Sequence, residues 1–127
     1  MAPAISVVAA IFTRDQKYLA CRKKPGLPNA GLWEFPGGKQ NTDESAVDAL
    51  YREINEELGV TPLIGASLGS LVHHYTDKSI NLHCLFVHEW QGEFVPSDHD
   101  KLQWFTLDEL AVLPMSCLLY TSPSPRD

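Results

Sequence analysis

Three glutamates near the middle of the chain, Glu53, Glu56 and Glu57, have the spacing most suggestive of chemistry. They stand at positions i, i+3 and i+4, so in a helix over residues 43–58 their carboxylates share one face. Like charges at these spacings oppose a helix by roughly 0.2–0.5 kcal/mol per pair, and negative charge near a helix C-terminus also opposes the macrodipole. A positive charge is therefore expected nearby, and a hard divalent cation such as Mg²⁺ prefers oxygen ligands. The alternative is an ordinary solvated acidic face.

The flanking sequence predicts the helix that positions these glutamates. Asn41 or Thr42 can serve as its N-cap, with Glu44 as the capping-box partner of Asn41. Gly59 is placed to end the helix in the left-handed conformation. An apolar side at near-helical spacing is expected to pack on the rest of the domain, and it consists of Ala46, Val47, Ala49, Leu50, Ile54 and Leu58.

The remaining chain alternates β-prone runs with turn signals. These runs predict a hairpin of strands 5–13 and 17–22, a strand over 32–35, a second hairpin of strands 63–75 and 79–90, and a short strand over 103–105. Thr106 and Glu109 form a capping-box pattern that opens a second helix, which Pro114 ends or interrupts. This order predicts an α/β fold with a mixed sheet and helices packed on its faces.

Composition limits the classes of protein to which the chain can belong. Its 127 residues suit a single domain, and 44% hydrophobic with 20% charged residues is typical of a globular protein. The net charge of −6 argues against a surface for polymeric nucleic acid, which needs clustered Lys and Arg. Three cysteines without a CxxC pair indicate neither a disulfide framework nor a zinc site. No apolar run approaches the roughly 20 residues that span a bilayer. We therefore expect a cytoplasmic protein without a membrane partner.

The stretch from Gly38 to Val60 resembles the Nudix box, the signature of the Nudix hydrolase family. The preceding residues 33–39, WEFPGGK, resemble the MutT-like nucleoside triphosphate pyrophosphohydrolases, and this resemblance extends over roughly residues 5–115. It implies the Nudix fold, an α/β/α sandwich with a mixed sheet. Every specified position of the box is filled, namely by Gly38, Glu44, Arg52, Glu53, Ile54, Glu56, Glu57, Gly59 and Val60.

The resemblance also implies a reaction and a metal site. The family reaction is attack of water on a diphosphate bridge, which splits a nucleoside triphosphate into monophosphate and pyrophosphate. Glu53, Glu56 and Glu57 are then the expected ligands of Mg²⁺ or Mn²⁺, joined by a backbone carbonyl near Gly38. Glu53 and Glu56 are assigned to catalysis, with Glu53 also orienting the water. Arg52 is expected to hold a box carboxylate in place.

Residues outside the helix complete the site that the resemblance implies. In relatives a glutamate from the loop before the last strand joins the metal or acts as base, and here Asp98 occupies that position. His99 is a second candidate for the base. Glu44 is expected to play a structural role beside the metal ligands. The expected substrate-binding residues are Arg22, Lys23, Phe35, Lys39 and Lys78, although each basic residue could equally be a solvated side chain.

The resemblance leaves the substrate open. An oxidised purine triphosphate such as 8-oxo-dGTP is our first expectation, and CTP or 5-methyl-dCTP follows closely. ADP-ribose or a dinucleoside polyphosphate is another possibility, and a Nudix-fold module that binds nucleotide without cleaving it is a third. A complete box argues against such a module. The enzyme is expected to act on small nucleotides as a monomer or homodimer.

The last eleven residues, 117–127, differ in character from the rest. They match the translation of a transposon adapter used in sequencing libraries, residue for residue. We therefore interpret residues 1–116 as the Nudix domain and 117–127 as a non-native tail, with a native disordered tail as the alternative. Relatives end with a helix packed on the sheet and read the base with a polar residue soon after the position of Pro114. We expect that helix to be truncated and the chain to be destabilised.

Overall fold

The computed structural model describes residues 4–74 and 76–114. The predicted tail over 117–127 and the truncated C-terminal helix lie outside the described residues. The described part contains, in chain order, β1 (Ala4–Arg14), β2 (Lys17–Lys23), β3 (Trp33–Glu34), β4 (Gly37–Lys39), α1 (Ala46–Leu58), β5 (Thr61–His74), β6 (Ser79–Gln91), β7 (His99–Phe105) and α2 (Leu107–Leu110). No helix among these is long and apolar enough to cross a membrane.

The strands form a mixed sheet, as predicted. Its order is β3-β2-β1-β6-β5, with β4 also paired to β1 and β7 also paired to β2. β1 and β6 run parallel along nine paired positions, whereas the other pairs are antiparallel. The predicted hairpin of β1 and β2 is confirmed, and its two turn residues, Asp15 and Gln16, have φ values of 54° and 63°. Positive φ at both positions is the signature of the tight turn that joins twisted strands.

The helix that carries the glutamates is confirmed, but its predicted N-cap was wrong. Its first residue is Ala46, and Ser45 is the N-cap, whose hydroxyl accepts a hydrogen bond from the Asp48 amide. The backbone N–H of Asn41 instead donates a hydrogen bond to the Glu44 carboxylate at 2.9 Å, within the loop before the helix. At the other end Gly59 has the predicted left-handed conformation, with φ of 71°.

Two hydrophobic clusters lie on opposite faces of β2. Leu19 and Cys21 belong to the larger cluster, which includes the buried side of α1, whereas Ala20 belongs to a smaller one with Trp33 and Phe105. Alternate residues of a strand point to opposite faces of the sheet. α1 packs on one face and α2 on the other. Leu110 and Leu113, in and after α2, pack on the smaller cluster. The layered α/β arrangement is therefore present in the described part.

Several boundaries differ from the predictions at the part of the sheet that forms the site. β7 begins at His99 rather than at residue 103, and residues 37–39 form a strand that was not predicted. β3 is confined to Trp33 and Glu34. The capping box of Thr106 and Glu109 is confirmed, but α2 ends at Leu110, four residues before Pro114. The pairings of β4 with β1 and of β7 with β2 bring residues from separate regions of the chain into the same sheet.

Candidate active site

A cleft of about 240 Å³ lies beside β4, where the sheet meets the C-terminal half of α1. β4 pairs with residues 7–9 of β1, so the cleft floor belongs to the sheet and one wall belongs to the helix. Five of the predicted site residues line this cleft: Lys23, Phe35, Gly38, Lys39 and Glu57. The fold therefore brings together residues from β2, the β3–β4 segment and α1.

Glu57 is the most unusual carboxylate in the cleft. Its Oε1 is buried and has no hydrogen-bond partner among the described residues. Burial raises the pKa of Glu57 from its ordinary value of 4.5 to about 8, and the charges of Glu53, Glu34 and Asp98 add to the rise. A hydrogen bond with Glu53 acts in the same direction. An unpaired carboxylate oxygen among other carboxylates is an arrangement that a cation would stabilise.

Gly38 brings β4 into direct contact with Glu53. A Cβ atom added at position 38 would collide with the Glu53 carboxyl group, and one added at Gly37 would collide with the Val8 carbonyl oxygen. The two glycines therefore allow close packing of β4 against the helix on one side and β1 on the other. This contact explains in steric terms why the pattern has glycine at the start of the box.

Arg52 connects the helix to the loop before it. Its Nε and Nη2 atoms donate to the two oxygens of Glu44 at 2.8 and 2.9 Å, and Nη2 also donates to the Lys39 carbonyl at 3.0 Å. Its Nη1 donates to Oε2 of Glu53 at 3.0 Å. The Arg52 guanidinium lowers the pKa of Glu44 from 4.5 to about 2. Arg52 thus fixes Glu53 and the β4 backbone relative to each other.

The carboxylates of Glu53 and Glu57 fit a divalent metal ion that is held by few protein ligands. Within residues 4–74 and 76–114, no group of three or more His, Cys, Asp or Glu side chains forms a ready-made metal cluster. Mg²⁺ does not need one, because it keeps several waters and is usually bound through one or two carboxylates and substrate phosphates. The buried, unpaired Oε1 of Glu57 is the atom in this structure that such an ion would satisfy.

A comparison with protein families matches residues 2–118 of the chain to the NUDIX domain. The chain belongs to the Nudix family. It is 38% identical to the CTP pyrophosphohydrolase of Escherichia coli over 112 residues, which cover 88% of this chain and 83% of that protein. It is 40% identical to the 8-oxo-dGTP diphosphatase of Proteus vulgaris over 63 residues, which cover 50% of this chain and 56% of that protein.

The solved structures agree with this assignment. The solution structure of the E. coli ORF135 protein superposes with a TM-score of 0.82 at 32% identity, covering 99% of this chain and 96% of that one. The crystal structure of the MutT NUDIX hydrolase from Burkholderia pseudomallei superposes with a TM-score of 0.78 at 30% identity, covering 89% of this chain and 90% of that one. The Nudix fold and the MutT-like resemblance are thereby confirmed. This chain is a Nudix pyrophosphohydrolase that acts on nucleotide substrates, and Nudix hydrolases use divalent metal ions.

Other predicted site residues of this Nudix hydrolase lie outside the cleft or at its edge. The Glu56 side chain is 61% exposed, and its carboxylate lies 3.5 Å from Nη1 of Arg52. Arg22 forms a two-point ion pair with Asp100, at 2.8 and 3.0 Å, instead of lining the cleft. Lys78 lies in the connection between β5 and β6. Asp98 precedes β7 and is near enough for its charge to raise the pKa of Glu57.

Glu34 is a cleft residue that sequence reasoning missed. It lines the cleft, and its Oε2 contacts Nε2 of His99 at 2.9 Å and Nζ of Lys23 at 3.8 Å. The suggestion that His99 acts as the base is not supported, because its side chain is 0% exposed and faces Glu34. A signal was available: Glu34 stands between Trp33 and Phe35, and strand alternation turns it away from the face that Trp33 buries.

Proposed function

We propose that this Nudix hydrolase splits nucleoside triphosphates into monophosphate and pyrophosphate in a Mg²⁺-dependent reaction. The observation that carries this proposal is the buried, unpaired Oε1 of Glu57 in a cleft with Glu53 and Glu34 nearby. The negative charges of a triphosphate cannot enter a cleft lined by carboxylates unless a cation compensates them. The basic side chains of Lys23 and Lys39 line the same cleft and supply further positive charge.

The protein residues then have distinct tasks. A bound Mg²⁺ would neutralise phosphate charge and lower the pKa of a water. Glu57 would release its proton to solvent when it holds the ion, and Gly38 lets β4 approach close enough that a backbone carbonyl oxygen could hold it as well. Glu53, held by Arg52 at 3.0 Å, has the fixed position needed to orient the attacking water. Asp98 is a further carboxylate at the edge of the site.

An apolar cleft beside the first provides a place for the nucleoside. The two clefts share Phe35 and Leu82, and the second is also lined by Ile11, Leu68 and Leu71. Its volume of about 280 Å³ suits a base, and Phe35 stands between the two compartments. The phosphates would then lie toward Glu57 and the base toward β5.

We favour CTP, or its 5-methyl deoxy form, as the preferred substrate, with 8-oxo-dGTP as the second candidate. The reason is the identity over most of the chain: the relative named for CTP is 38% identical over 88% of this chain, whereas the relatives named for 8-oxo-dGTP that cover 82% and 79% of it are 30% and 29% identical. This ordering reverses our sequence-based preference. A panel of canonical and modified triphosphates, ranked by kcat/KM, tests it; a preference for 8-oxo-dGTP would restore the first expectation.

The reaction is tested by product analysis. Wild-type protein with Mg²⁺ should release pyrophosphate and nucleoside monophosphate, with neither product formed in the presence of EDTA. Glu53→Gln and Glu57→Gln should each lower kcat by at least about 100-fold. Glu56→Gln is the matched variant, one residue from Glu57 but exposed, and we expect a smaller loss. Orthophosphate release, or binding of nucleotides without any turnover, would refute the proposal.

A further inference from the structure

A buried histidine, His99, contacts one of the side chains that line the cleft. The His99 side chain is 0% exposed, whereas the Glu34 side chain that it contacts is 20% exposed and lines the cleft. Strand register explains how residues 65 positions apart meet. β2 pairs with both β3 and β7, so that Cys21 stands opposite Glu34 and Lys23 stands opposite His99. Cys21 and Lys23 are two residues apart on one strand. A register shift between Arg22 and Lys23, where the partner in β7 changes from Lys101 to His99, places His99 on the same face as Glu34.

The hydrogen bond fixes which ring nitrogen of His99 carries a proton. Nε2 lies 2.9 Å from Oε2 of Glu34, whereas Nδ1 is buried without a partner among the described residues. A buried N–H without an acceptor is costly, and an imidazole lone pair facing a carboxylate oxygen is repulsive. The assigned tautomer thus has its proton on Nε2, and His99 donates to Glu34.

Lys23 competes for the same carboxylate oxygen. Its Nζ lies 3.8 Å from Oε2 of Glu34, beyond hydrogen-bond distance, while His99 holds that oxygen at 2.9 Å. A carboxylate without the His99 contact would be free to move toward the ammonium group and form a direct ion pair. Such a pair would neutralise one of the cations that line the cleft for the phosphates.

We propose that His99 is a positioning residue that holds the Glu34 carboxylate away from Lys23 and so keeps the Lys23 ammonium available to substrate phosphates. This inference rests on the proposed function, because it assigns Lys23 to phosphate binding. Its effect falls on substrate binding and not on the chemical step. Loss of the Nε2 donor should therefore raise KM, with little change in kcat.

Two substitutions at position 99 separate this role from simple packing. His99→Gln places an amide nitrogen near the position of Nε2, whereas His99→Asn is equally polar but too short to reach Glu34. We expect His99→Asn to raise KM about fivefold, the effect of an ion pair of ordinary strength, and His99→Gln to stay near wild type. The Asn effect should weaken as salt is added, since salt screens the Glu34–Lys23 pair.

A double variant tests the route through Glu34. Glu34→Gln removes the charge that would capture Lys23, so adding His99→Asn to it should change KM less than about twofold. If His99→Asn had the same effect in the wild-type and Glu34→Gln backgrounds, its role would be structural only and the proposal would be overturned. Unchanged KM in a folded His99→Asn protein would also overturn it. Both results leave the proposed function intact, because wild-type turnover is measured separately.

A measurement on proteins that keep His99 covers the case in which the position 99 variants do not fold. Long-range ¹H–¹⁵N correlation spectra of the histidine side chains distinguish the two neutral tautomers. The proposal requires the Nε2–H form for His99, with a shift of its ¹⁵Nε2 resonance in Glu34→Gln. The Nδ1–H form, or a spectrum that does not respond to Glu34→Gln, would overturn the inference whether or not any nucleotide is hydrolysed.

Discussion

At the scale of single residues, the contacts of Arg52 depend on the shape of its guanidinium group as well as on its charge. Its planar guanidinium contacts Glu44 through two nitrogens, the Lys39 carbonyl, and Glu53 at the same time. These contacts connect the loop before α1, the end of β4 and the face of the helix that carries Glu53. A lysine has one ammonium group and cannot reproduce that fork geometry.

We therefore predict that Arg52→Lys lowers kcat about tenfold or more while the protein remains folded. The physical reason is the loss of a fixed position for Glu53. Steady-state kinetics and a thermal melt measure the two effects. Arg14→Lys is the control, since Arg14 lies over the Trp90 ring at 4.3 Å and does not line the cleft. An unchanged kcat in Arg52→Lys would show that a positive charge at position 52 is sufficient to position Glu53.

Gly38 supports a second prediction at this scale. Its φ does not lie in the left-handed region, so alanine is acceptable to the backbone, but the added Cβ would meet the Glu53 carboxyl group. Gly38→Ala should displace Glu53 and lower kcat by roughly 10-fold to 100-fold. Gly65→Ala is the matched control, because its Cβ would approach the Phe86 carbonyl oxygen at 3.3 Å, away from the cleft. Comparable losses in both variants would point to general destabilisation.

Some features of the candidate site follow from the sequence alone, whereas others depend on contacts between distant parts of the chain. Glu53 and Glu57 were predictable because helical spacing is a local property, and one face of α1 follows from their positions. The contact between Glu34 and His99 was not predictable, since it joins positions 65 residues apart through two strand pairings with β2, and His99 was named only as a candidate base. Glu56 shows the limit of local spacing, because it shares the helix but its side chain is mostly exposed.

At the scale of elements, the start of α1 shows how a short polar segment can mislead. Asn41, Thr42 and Ser45 are all residue types that cap helices, and sequence alone gives each a reasonable claim. Tertiary contacts decide between them. Arg52 binds the Glu44 carboxylate at 2.8 Å, and this carboxylate also accepts a hydrogen bond from the backbone N–H of Asn41. These contacts hold the loop in a non-helical conformation, and the helix begins after Ser45.

A capping experiment tests this boundary. Ser45→Ala removes the acceptor of the Asp48 amide and should lower the free energy of unfolding by about 1 kcal/mol. Thr42→Ala, three residues earlier and exposed, should change it by less than about 0.5 kcal/mol. Urea denaturation followed by circular dichroism measures both values. If Thr42→Ala were the more destabilising, the cap assignment would be reversed.

At the scale of the whole molecule, the cleft carboxylates couple folding to pH and to metal. Glu57 has a pKa of 4.5 ordinarily and about 8 in the folded protein, chiefly because it is buried. Between these values the folded state keeps a proton that the unfolded state has lost. The contribution of Glu57 to the stability of metal-free protein is therefore greatest below about pH 4.5 and falls as pH rises toward about 8.

Glu57→Gln is predicted to remove this dependence. Glutamine is neutral at every pH, so in EDTA at pH 8.5 the variant should be more stable than wild type by roughly 1–3 kcal/mol, with the difference vanishing near pH 4.5. Glu56→Gln, exposed on the same helix, should show no such trend.

Added Mg²⁺ should reverse the order of stability of the two proteins. A cation that binds the folded state stabilises wild type, whereas the Glu57→Gln variant lacks one of the ligands for that cation. Since the cation must displace the Glu57 proton below about pH 8, the Mg²⁺-induced rise in Tm of wild type should be larger at pH 8.5 than at pH 6. A Tm rise that is equal at both pH values, or equal in wild type and Glu57→Gln, would show that Glu57 is not a ligand of the metal.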